Sequence, residues 1–133
     1  MDTYNPDKKI DPKTWLALDE YEQQELIEEY VLTDEQGLGE VSPTLHAAAH
    51  SMVETQLAMG EKETVDAYNR LIRQGLKRHD TLHALAAVIM EGVHQSVQEC
   101  MQDNISSEDA DVTIRYKSRL RKLTAKKWLK GKY

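Results

Sequence analysis

Helix punctuation constrains this chain more than any other feature. Asp11-Pro12 and Ser42-Pro43 each set a capping side chain before a proline suited to the first helical turn. Gly60 and Gly75 stand where two runs of helix formers stop. Between these marks the apolar residues recur three and four apart. No run alternates apolar with polar residues, and no Asn-Gly or Asp-Gly pair signals a hairpin. With 133 residues and no Phe, the chain has one domain's length and a core of Leu, Ile, Val, Met and Ala. The reading is all-α, a compact bundle of about five helices.

Residues 1–11 read as a flexible N-terminal arm, 12–105 as a helical domain and 106–133 as a basic C-terminal helix and tail. Helices are expected from Pro12 to about Leu32, Pro43 to Met59, Glu63 to Gln74, Lys77 to about Met101 and Glu108 to about Leu129. Thr33–Val41 and Asp103–Ser107 read as breaks, with Ser106 or Ser107 capping the last helix. The fourth helix is apolar nearly all round from Leu82 to Val93, as befits a segment surrounded by others.

Several classes are excluded early. A single cysteine, Cys100, rules out an internal disulfide and a C-x-x-C metal knuckle. No run of 18 apolar residues exists to span a membrane, and Met1–Ile10 lacks the apolar core of a signal peptide, so a cytoplasmic address is expected. Nucleophile elbow, P-loop and dinucleotide fingerprints are all missing, so the motifs name no reaction.

The chemistry concentrates in histidines. His46 and His50 are four apart, as are His79 and His83. On a helix this spacing stacks two imidazoles on one face, about 6 Å apart at Cβ. Each pair begins in the first turn of its helix, and an up-down-up path through three helices would make those two helices parallel, with both pairs at one end. Four imidazoles could then converge on a divalent transition metal such as zinc, iron or nickel. Glu54 lies two turns after His46 and is the best acidic candidate for a ligand, a general base or a group that orients an imidazole. Gln56, Arg78 and Glu91 are candidates for supporting positions behind the ligands. The competing reading is a buried, hydrogen-bonded histidine network with a purely structural role. Coupled titration of the clustered imidazoles would give a third, pH-sensing role. His46-Ala-Ala-Ala-His50 lacks the glutamate of H-E-x-x-H, and Glu91-x-x-His94 has no second copy to complete a di-iron site.

Three blocks, Trp15–Glu20, His46–Ala58 and Arg70-Leu71 with Gly75–Ala84, resemble a family of small, uncharacterised bacterial proteins, a domain of unknown function. Its pattern is H-A-x-x-H-x-x-V-E-N-Q followed by G-L-x-R-H-x-x-x-H-A. His46, His50, Glu54, Gln56, Arg78, His79 and His83 match, and Thr55 replaces the usual Asn. The resemblance implies that both histidine pairs serve one recurring site, and it implies no established activity.

Charge is divided along the chain. All 23 acids precede Val112, whereas 9 of the 17 Lys and Arg fall in residues 115–133. Arg115, Arg119, Lys122, Lys126 and Lys130 recur at helical spacing as a positive stripe. Such a stripe suits an acidic protein partner, nucleic acid phosphates or an anionic membrane surface. It also suits simple docking on the acidic first helix or on another subunit of a homo-oligomer. A non-enzymatic interaction module using this tail is the alternative to a metal protein.

Overall fold

The computed structural model of the chain describes residues 1–33, 42–103 and 112–131. Those residues form helices α1 (Pro12–Leu16), α2 (Glu20–Thr33), α3 (Pro43–Met59), α4 (Lys62–Arg73), α5 (Arg78–Asp103), α6 (Val112–Lys122) and α7 (Ala125–Leu129), with no strand among them. The architecture is therefore all-α. The caps expected at Ser106 or Ser107, the start at Glu108 and nearly all of the Thr33–Val41 loop lie outside the described residues.

Two expected helices are each divided. The first breaks at Ala17–Asp19 because Asp19 and Glu22 form a reciprocal capping box. Asp19 Oδ1 accepts from the Glu22 amide at 2.8 Å, and Glu22 Oε1 accepts from the Asp19 amide at 3.3 Å. The buried Gln23 amide donates to the Trp15 and Leu18 carbonyls that the break exposes, at 3.0 and 3.4 Å.

The last helix breaks at Leu123-Thr124. Arg70 donates through Nη2 to the Leu120 carbonyl (2.5 Å) and through Nε to that of Leu123 (2.9 Å), satisfying acceptors at the end of α6. Thr124 then caps α7 by accepting from the Lys127 amide at 3.2 Å.

Two apolar clusters flank α3. One joins Val53 with Leu71 of α4, Leu82, Leu85, Val88 and Ile89 of α5, and Leu120, Leu123 and Ala125 of the C-terminal segment. Leu120, Leu123 and Ala125 of the C-terminal segment thus share a core with the preceding helices. The other cluster joins Ala47 with Trp15 of α1, Ile27 and Val31 of α2, and Tyr4 of the N-terminal arm. Tyr4 and Pro6 are buried, so the arm is packed onto the bundle rather than hanging from it.

Helix direction differs from the parallel arrangement expected. Glu54 meets Arg78, His50 meets His79, and His46 meets His83. Contacts that rise along α3 fall along α5, so these helices cross antiparallel. Two short connections, holding Gly60 (φ 72°) and Gly75 (φ 95°) in the left-handed region, join α3 to α4 and α4 to α5. The histidine pairs still meet, because each is short enough to fit within the crossing.

Candidate metal centre

The site begins with a well-set helix start. Ser42 Oγ accepts from the Leu45 amide at 3.1 Å, and Pro43 occupies the first turn of α3. From that start His46, His50 and Glu54 follow at four-residue intervals, one stripe between the two apolar clusters. They are 7%, 2% and 3% exposed. Polar groups this deep require partners, and the crossing helix α5 supplies Arg78, His79 and His83 opposite them.

Three ring nitrogens gather at the crossing. His50 Nε2 lies 3.1 Å from His46 Nε2 and 3.1 Å from His83 Nε2. All three ligand nitrogens fall within 4.8 Å of one another. The chemistry of the donor set, three imidazoles without a thiolate, suits a borderline divalent ion.

Tyr4, Glu54 and Arg78 form a chain of hydrogen bonds behind His50. Tyr4 Oη donates to Glu54 Oε2 at 2.7 Å and lies 3.3 Å from His50 Nδ1. Arg78 grips the same carboxylate from the other side, Nη2 to Oε1 at 2.8 Å and Nη1 to Oε2 at 3.1 Å. An ionised carboxylate only accepts, so the tyrosine proton goes to Glu54 and the Tyr4 oxygen accepts from His50 Nδ1–H. In a neutral His50 ring the lone pair then lies on Nε2. One lone pair makes one good hydrogen bond, yet two imidazole nitrogens stand at 3.1 Å from it. The three nitrogens lie close enough together to hold a metal ion.

No protein-family model, curated protein or solved structure matches the chain.

The remaining candidates are distributed as follows. His79 is half-buried, its ring 4.4 Å from that of His83, 5.5 Å from that of His50 and 6.0 Å from that of Tyr30. It borders the three-nitrogen group. Glu54 stands behind His50, with both oxygens bonded to Arg78 or Tyr4. Burial draws the Arg78 guanidinium downward, but the hydrogen bond and charge of Glu54 outweigh it and raise Arg78 above its ordinary value. Gln56 turns to α4, its Oε1 accepting from Thr64 Oγ1 at 2.6 Å. Glu91 and His94 are exposed on the part of α5 beyond the crossing. Thr55 accepts from Trp15 Nε1 at 3.1 Å and so fastens α1 to α3.

The basic residues divide into two groups. Arg121 donates to Glu63 Oε1 at 2.9 Å and Lys117 Nζ approaches Glu63 Oε2 at 3.9 Å, so α6 docks by charge on α4 rather than on the acidic α2. Arg119 is half-buried, while Lys122, Lys126 and Lys130 are exposed. The break at Thr124 keeps these five positions from forming one continuous helical stripe, and the side chain of Arg115 lies outside the described residues.

Tyr4 is the site residue that sequence reasoning missed. It sits in a polar arm without periodicity, and only its proximity to Pro6 and Ile10 hints at an apolar anchor.

Proposed function

We propose that this protein binds a divalent transition metal, zinc, iron or nickel, through His46, His50 and His83. The observation behind the proposal is the pair of 3.1 Å contacts at His50 Nε2, made while Nδ1 is held by Tyr4. Glu54 and Arg78 fix Tyr4, Tyr4 fixes the tautomer of His50, and the fixed tautomer presents a lone pair inward. His79 is the candidate for a fourth ligand. Its engagement would close a tetrahedral site, whereas a three-histidine set leaves a position where a bound water is acidified. The resemblance of both histidine blocks to one family's pattern agrees with a single site built from both pairs.

Metal analysis of protein purified without a histidine tag tests the reading. Close to one equivalent per chain is expected, and less than about 0.2 equivalents from metal-replete cells would reject it. A second reading, docking of an acidic protein or nucleic acid on the C-terminal segment, is favoured by exposed Lys122, Lys126 and Lys130 beside Leu129, itself 74% exposed. Lys122→Glu, Lys126→Glu and Lys130→Glu together, all at exposed positions, would abolish such binding and leave the metal in place.

A further inference from the structure

Glu54 and Arg78 also border a second space. A cavity of about 320 Å³ lies among the N-terminal arm, α1, α3, α4 and the start of α5, with no histidine in its lining. That volume falls at the small end of ligand sites. Ile10, Trp15, Leu57 and Val65 give it an apolar wall, and Lys9, Tyr68, Asn69 and Arg78 give it a polar one.

The polar wall has donors to spare. Arg78 carries five N–H groups. Four are used: Nε to Tyr68 Oη at 3.1 Å, Nη1 to the Pro6 carbonyl at 2.9 Å and to Glu54 Oε2 at 3.1 Å, and Nη2 to Glu54 Oε1 at 2.8 Å. The second Nη2–H has no acceptor among the described residues, although the Arg78 side chain is only 10% exposed. Tyr68 is 9% exposed and accepts from Arg78, so its own proton is also left to give. Glu54 neutralises Arg78 and has both oxygens engaged, which leaves Lys9 as the unbalanced charge on this lining. Surplus donors and net positive charge call for an anionic acceptor, and the opposite wall calls for an apolar body.

We propose that this cavity binds a small organic acid. Its carboxylate accepts from Arg78 Nη2, Tyr68 Oη and Lys9 Nζ, and its aliphatic or aromatic body lies against Trp15, Leu57 and Val65. Charge-assisted hydrogen bonds supply the selectivity, and burial of the body supplies much of the affinity. An amine is disfavoured, because the Glu54 carboxylate in the lining is already paired with Arg78.

Octanoate, titrated calorimetrically into metal-free and metal-loaded protein, is the probe. One site per chain is expected in both forms, with octan-1-ol and inorganic phosphate each at least about tenfold weaker. Val65→Trp fills the cavity and is expected to weaken octanoate at least about tenfold, with helicity and metal content unchanged. Octanoate is also expected to shift the amide resonances of Val65, Tyr68 and Asn69 in the native chain. Equal binding of octanoate and octan-1-ol, equal binding of phosphate, or no octanoate binding would each overturn the proposal, as would resonance shifts confined to other helices. Metal content measured on the same samples keeps this outcome separate from that of the metal site.

Discussion

The Tyr4 hydroxyl donates to Glu54 Oε2 at 2.7 Å across fifty residues of sequence, and its oxygen stands 3.3 Å from His50 Nδ1. The N-terminal arm thereby reaches the histidines through one atom. That atom connects a buried ion pair to a candidate metal ligand, so the packing of the arm and the chemistry of the site are linked.

Tyr4→Phe keeps the ring packing and removes the oxygen. Metal affinity is expected to fall by roughly 10–100-fold, the usual effect of losing an outer partner of a ligating histidine. Competition titration against a chromophoric chelator reads this directly. An unchanged affinity would remove Tyr4 from the site.

Arg78 and Glu54 form a pair whose side chains are 10% and 2% exposed. Arg78→Met strands a buried carboxylate and is expected to cost about 3–5 kcal/mol, whereas Arg78→Met with Glu54→Leu recovers most of that loss. Urea denaturation of the two variants compares them. If the double variant is no more stable than the single one, the cost does not come from a stranded charge.

Glu63 anchors α6. The side-chain hydrogen bond from Arg121, helped by a backbone N–H and the charges of Lys117 and Arg121, holds its carboxyl below its ordinary value against a smaller upward pull from burial. A carboxyl lowered in the folded state stabilises fully above its unfolded value of about 4.5. That contribution disappears as pH falls through the lower folded value. Glu63→Gln is therefore expected to flatten the acid limb of the urea midpoint as pH falls below about 4.5, and to change little with pH above that. An acid limb as steep as in the native chain would mean that α6 is anchored elsewhere.

Gly92 lets α5 and α6 approach closely, since a Cβ there would stand 3.0 Å from Tyr116 Cβ. Gly92→Leu is expected to cost about 1–3 kcal/mol by overpacking, although leucine is the better helix former. A thermal midpoint equal to that of the native chain would contradict this contact.

Much of the helical layout is legible in the sequence, because its signals are local. Ser42-Pro43 and Gly60 bound α3 as expected, and the His46/His50 spacing places two rings on one face. Where the sequence reading failed, the decisive partner was distant. Asp19–Glu22 is a local capping signal that the continuous run of helix formers concealed, but the break after Lys122 depends on Arg70, fifty or more residues away. Antiparallel crossing of α3 and α5 has no sequence signature, and neither does Tyr4, whose role exists only once the arm is folded against α3. The convergence of His46, His50 and His83 lies between these cases, because spacing sets each pair on a face and only the fold brings the faces together.

An anomalous-scattering map of crystals grown from zinc- or nickel-loaded protein tests the central claim most directly. The account predicts one strong peak per chain, about 2.0–2.2 Å from the Nε2 atoms of His46, His50 and His83. Those three rings bonded only to one another, with the metal at His94 or absent, would contradict it.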